Sequence, residues 1–87
     1  MEQSAGFRVV APRPSNPDPA LGAVLREERE RQGRSQEGLA HDAGLTTNAL
    51  SRIELGQSDP SFSTVTRIAK ALGMSRAELM QRVERKH

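Results

Sequence analysis

The chain has 87 residues, 34% of them apolar, with two phenylalanines and no tryptophan, tyrosine or cysteine. That length allows one small domain with an aliphatic core, and the absence of cysteine excludes both a disulfide framework and a thiolate metal site. The net charge of +2 excludes a polybasic coat for nucleic acid, while the lack of a long apolar run and an opening Met1-Glu2-Gln3 lead us to expect a soluble, cytoplasmic chain without a membrane partner.

In chain order, the first feature is a proline-rich stretch. Ala11 to Pro19 holds four of the five prolines, so residues 1–17 read as a flexible, disordered arm and residues 18–87 as the folded domain. The arm offers Arg8 and Arg13 as groove contacts or Phe7, Val9 and Val10 as a dimer strap, and its proline-rich stretch is a candidate for folding onto a protein partner. Asp18 then caps a first helix with Pro19 at its opening position. Leu21, Val24 and Leu25 form the buried stripe of this helix, which runs to about Gln32 and ends at Gly33. Arg26, Glu27, Glu30 and Arg31 fall outside the stripe.

Ser35 caps a second helix that buries Leu39, Ala40 and Ala43 and stops at Gly44. Thr46 caps a third. Ser61, after Pro60, caps a fourth, which is expected to bury Phe62, Val65, Ile68, Ala69 and Leu72 before Gly73. Ser75 with Glu78 three residues on forms a capping box for a fifth, carrying Leu79, Met80 and Val83. Five capped segments and no strand-like alternation give an all-α domain.

Segment 35–55 therefore has two short helices around a glycine turn, the anatomy of a helix-turn-helix. Helical spacing turns Ala49, Leu50 and Ile53 of the third helix inward and leaves Thr47, Asn48, Ser51 and Arg52 on the opposite face. An ordinary solvated helix face would show the same polarity. These side chains are nevertheless suited to base edges: arginine forks onto guanine, asparagine pairs with adenine, and a threonine methyl touches thymine. Segment 35–56 carries a charge of −2 and segment 57–87 a charge of +3. Attraction to phosphate must then come from Arg34, backbone amides and flanking arginines rather than from the reading helix.

From Leu21 to Met80 the chain resembles the lambda-repressor-like, XRE-type helix-turn-helix DNA-binding domains. The resemblance rests on Leu21-Gly22, Leu25, Arg29, Gly33, Ser35-Gln36-Glu37, Leu39-Ala40, Ala43-Gly44, Ser51-Arg52-Ile53-Glu54, Gly56, Pro60-Ser61, Ile68-Ala69, Ala71-Leu72-Gly73 and Glu78-Leu79. It implies a compact five-helix fold in which Thr47, Asn48 and Arg52 read bases. Gln36, Thr46, Ser51 and Ser61 then position the domain or touch phosphate, and Arg29 and Glu54 form an ion pair. Glu28 and Arg34 depart from the leucines common in relatives, which predicts a looser contact or one sealed by aliphatic stems. Arg76 likewise replaces an apolar residue.

An enzyme is not expected. His41 and Asp42 are neighbours on a helix and diverge, His87 lies at the last position, and no metal-ligand spacing or glycine-rich phosphate loop is present. No cofactor or metal is implied. The implied partner is double-stranded DNA. One short reading helix touches too few base pairs to single out an operator, so a homodimer on an inverted repeat is expected, with helix five (Met80, Val83 and the tail Glu84 to His87) as its candidate interface and the N-terminal arm as the second. Bound near a promoter, such a regulator would block or recruit polymerase, and a repressor is the expected form. The alternative is a protein-interaction module of the same fold, an antitoxin or co-regulator that depends on a partner for DNA binding.

Overall fold

The computed structural model describes residues 18–87 as five helices: α1 (Pro19–Arg31), α2 (Gln36–Ala43), α3 (Thr47–Glu54), α4 (Phe62–Ala71) and α5 (Arg76–Lys86). The readings of residues 1–17 as arm, groove contact or strap lie outside the described residues. Each expected cap is in place. The Asp18 carboxylate accepts from the Ala20 amide, and the hydroxyls of Ser35, Thr46, Ser61 and Ser75 accept from the amides of Gly38, Ala49, Thr64 and Glu78. In the capping box the Glu78 carboxylate also accepts from the Ser75 amide at 3.1 Å. Such caps satisfy donors that a helix start otherwise leaves open. The first helix ends one residue earlier than expected, with Gln32 as its C-cap.

The helices close around one core. α1 packs on α3 and α5, α2 packs on α3 and α4, and α4 packs on α5. Each helix supplies one large, fully buried aliphatic side chain: Leu25, Leu39, Leu50, Ile68 and Leu79. Burying a side chain of this size contributes about 1.5–3 kcal/mol, so these five anchor the bundle. At one point the backbones themselves are in contact. A Cβ built on Gly22 would stand 2.5 Å from the carbonyl oxygens of Ile53 and Glu54. Only glycine lets α1 approach the C-terminal end of α3 this closely. No helix among the described residues is long and apolar enough to cross a membrane.

Three expectations are corrected. Phe62 is 67% exposed, with the Arg76 guanidinium 3.8 Å from its ring centroid, while Met74 after the α4 terminator is buried instead. Phe62 opens α4 beyond the end of the core, so helical spacing alone misplaced it. Val83 is buried in the protomer's own core and Met80 packs against that core, so this pair offers little surface for a second subunit. Lastly, the contact at Glu28 is neither loose nor sealed by aliphatic stems.

Glu28 is 4% exposed and accepts hydrogen bonds from Arg31, Gln32 and Arg82. The same Gln32 amide donates to the Leu72 carbonyl at 2.9 Å. A carboxylate thus fastens α1 to α5 and to the end of α4. The Arg31 hydrogen bond, acting against burial and assisted by Gln32 and Arg82, holds the Glu28 carboxyl down at about 2.

Candidate nucleic-acid interface

The site is built from the turn outward. Gly44 has φ 72°, where a side chain would be strained, and the amides of Gly44 and Leu45 bond back to the His41 and Ala40 carbonyls at 3.1 and 2.8 Å. This closure ends α2 abruptly. Thr46 then adopts an extended backbone and caps α3, so this helix starts at Thr47, three residues after the glycine.

On α3, Leu50 and Ile53 are buried and Ala49 is half-buried, whereas Thr47, Asn48 and Arg52 are exposed and Ser51 is half-buried. Asn48 and Arg52 stand one turn apart, as do Thr47 and Ser51. Among the described residues none of the four side chains is engaged in a hydrogen bond or ion pair. A row of unengaged donors on a helix whose back is locked into a core can bind polar groups without first breaking internal contacts.

The far end of α3 is held by a second network. Glu54 has a side chain only 1% exposed and receives Arg29 in a fork, Nε at 2.8 Å and Nη2 at 3.1 Å. Arg29 Nη1 donates to the Arg34 carbonyl at 2.8 Å, and Gln36 Nε2 donates to Glu54 Oε1 at 2.9 Å. The hydrogen bond from Arg29 to Glu54 outweighs desolvation and raises the guanidinium pKa further. The implied Arg29–Glu54 pair is therefore present, and it joins α1, the loop before α2 and the first residue of α2 to α3. One amide proton of Gln36 is engaged there, which leaves the other for a phosphate.

The remaining implied contacts divide. Thr46 and Ser61 are exposed caps. With its Oγ turned to Thr64, Ser61 leaves the first amides of α4 facing outward, an arrangement suited to an anion. Arg34 is placed differently from the role implied for it. Its guanidinium donates to the Ala71 carbonyl at the end of α4 and to Asp42 on α2, so it staples α2 to α4 and reaches phosphate only by leaving both. Spacing also overlooked two cations, Arg67 and Lys70 on α4. A signal for them existed: no acidic residue lies three or four positions from either, so neither can pair along its own helix.

Residues 20–81 match the helix-turn-helix domain family. Over 66 residues the chain is 38% identical to the HTH-type transcriptional regulator PuuR of Escherichia coli (strain K12), an alignment covering 76% of this chain and 36% of that protein. An uncharacterized HTH-type transcriptional regulator of Methanothermobacter thermautotrophicus is 38% identical over 58 residues, covering 67% of this chain and 84% of the relative. The chain thus spans about a third of PuuR, at 36%. Among solved structures, the clp gene regulator ClgR from Corynebacterium glutamicum superposes with a TM-score of 0.76 at 29% identity, covering 79% of this chain and 73% of that one. The restriction-modification controller protein C.AhdI from Aeromonas hydrophila gives 0.68 at 36% identity, covering 70% and 92%. The reading face, its glycine turn and the Arg29–Glu54 brace thus stand within a matched span of which the described helices form the greater part: the chain belongs to the helix-turn-helix domain family and has the lambda-repressor-like DNA-binding fold.

Proposed function

We propose that the domain reads a specific double-stranded DNA sequence by laying α3 in the major groove, and that it regulates transcription as a dimeric repressor on an inverted-repeat operator in the cytoplasm. The observation that carries this reading is the exposed, unengaged row Thr47, Asn48 and Arg52 on a helix braced at both ends. Arg52 forks onto a guanine, Asn48 pairs with an adenine and Thr47 meets a thymine methyl or a neighbouring edge. Gln36, Thr46, Ser51 and the amides behind Ser61 fix the register on the phosphates. Arg34 joins them only on release from Asp42.

A repressor of this kind needs two copies for specificity, with reading helices about 34 Å apart across a two-fold axis. Burial of Val83 favours an interface formed elsewhere than on Met80 and Val83. The exposed apolar residues Leu55 and Phe62 flank the loop between α3 and α4 and are better placed to be covered. Blocking polymerase access at a promoter then follows from occupancy alone. Binding of Arg52→Ala to a preferred site tests the reading: a loss of about 1–3 kcal/mol, with relaxed discrimination at a single base pair, is expected. Unchanged affinity and specificity would remove α3 from the reading role.

A further inference from the structure

Most cations of the domain are matched by acids. Arg26, Arg29, Arg31, Arg34, Arg82 and Lys86 each lie against a carboxylate. Arg67 and Lys70 do not, among the described residues, and they stand together. Both are exposed on α4 and line a shallow cleft of about 400 Å³ with Asp42, Gly44 and Ala71. Arg67 Nη1 lies 3.5 Å from where a Cβ on Gly44 would sit, beside the turn that delivers the reading helix. Among the described residues its polar contact is a long one, 3.4 Å to Thr64 Oγ1.

The charge of this cleft follows from its parts. α2 ends at Ala43 and α4 at Ala71, so two helix C-termini face it, each worth roughly half a negative charge. These ends favour cations at the spot but offset only about one of the two. Asp42 adds no further negative charge, because Arg34 is paired with it. The cleft is therefore net positive. Its only apolar side chains are two alanines, which give a partner no large apolar side chain to grip, so the pair of cations is its distinguishing chemistry. Duplex DNA, with a negative charge every ~1.7 Å of axis, supplies the opposite charge beside the groove where α3 reads.

We propose that Arg67 and Lys70 form a second DNA-backbone site, holding phosphates outside the base pairs read by α3. This site rests on the reading of α3 as the DNA-recognition helix, and it contributes affinity without sequence preference. It takes the electrostatic role that Arg34, committed to Asp42 and Ala71, does not fill.

The test is a salt titration of binding to a labelled random-sequence duplex three helical turns long, repeated with the sequence the domain prefers. The double variant Arg67→Gln/Lys70→Gln is expected to bind both duplexes more weakly by the same factor. Its slope of log affinity against log salt should be shallower by roughly 1.8, about 0.9 for each lost phosphate contact. The swap Arg67→Lys/Lys70→Arg, which keeps both charges, should retain the parent slope. Should the double variant fail to fold, each single glutamine variant should lose about half as much. A folded double variant with the parent's slope overturns the proposal and redirects the cleft to an acidic protein. If the parent shows no salt-dependent binding to either duplex, the reading of α3 fails and this site falls with it.

Discussion

Arg52 and Glu28 show how the same fold handles charge in opposite ways. Arg52 is exposed, lacks an internal partner among the described residues, and is available to a base. Glu28 is enclosed and satisfied by three side chains. Because its carboxyl is lowered from the ordinary 4.5 to about 2, ionisation favours the folded state. That contribution is fully present above 4.5 and disappears as the pH falls toward 2. Arg31 and Arg82 are both partly exposed, so on loss of Glu28 they can turn to water rather than remain as buried charges. Glu28→Leu is therefore expected to leave stability at pH 7 neutral or improved, in line with apolar replacement of buried ion pairs. It should also flatten the stability profile between pH 4.5 and 2. Thermal melts across that range check both points, and a Leu variant that keeps the parent's acid transition contradicts the account of Glu28.

At the scale of elements, much was legible before the structure. Hydroxyl and carboxylate caps are local chemistry, so they placed the start of each of the five helices. The buried stripes of α1 to α3 also followed from spacing. Long-range contacts were not visible. Glu28 lies on the same stripe as Leu21, Val24 and Leu25, but its partner Arg82 is 54 residues away, and no local rule connects them. Phe62 failed for a different reason. Its spacing to Val65 suits a core residue, yet the first turn of α4 projects past the core and meets Arg76 instead. Gly22 was legible only through resemblance, since a glycine within a helix normally costs stability. Gly22→Ala should force α1 away from the Ile53 and Glu54 carbonyls, and we expect a loss of about 1–3 kcal/mol in denaturant unfolding. Ser75→Ala removes one cap hydroxyl and is expected to cost about 1 kcal/mol. A Gly22→Ala variant as stable as the parent would show that the two backbones are not in contact.

For the molecule as a whole, the brace around Glu54 and the core beneath α3 hold the helix that carries the proposed reading face in place. The candidate readers Thr47, Asn48 and Arg52 were identifiable from helical spacing because they lie opposite the buried side of a single helix. The electrostatic surroundings were not, because whether Arg34 is free or tied to Asp42 depends on how α2 meets α4. Affinity should accordingly fall with salt, while sequence preference should reside in α3. In vitro selection of random duplex DNA by the purified chain at near-physiological salt tests the central claim most directly. The account predicts enrichment of an inverted repeat with half-site centres about 10 base pairs apart, one helical turn. A folded protein that enriches no sequence would contradict it.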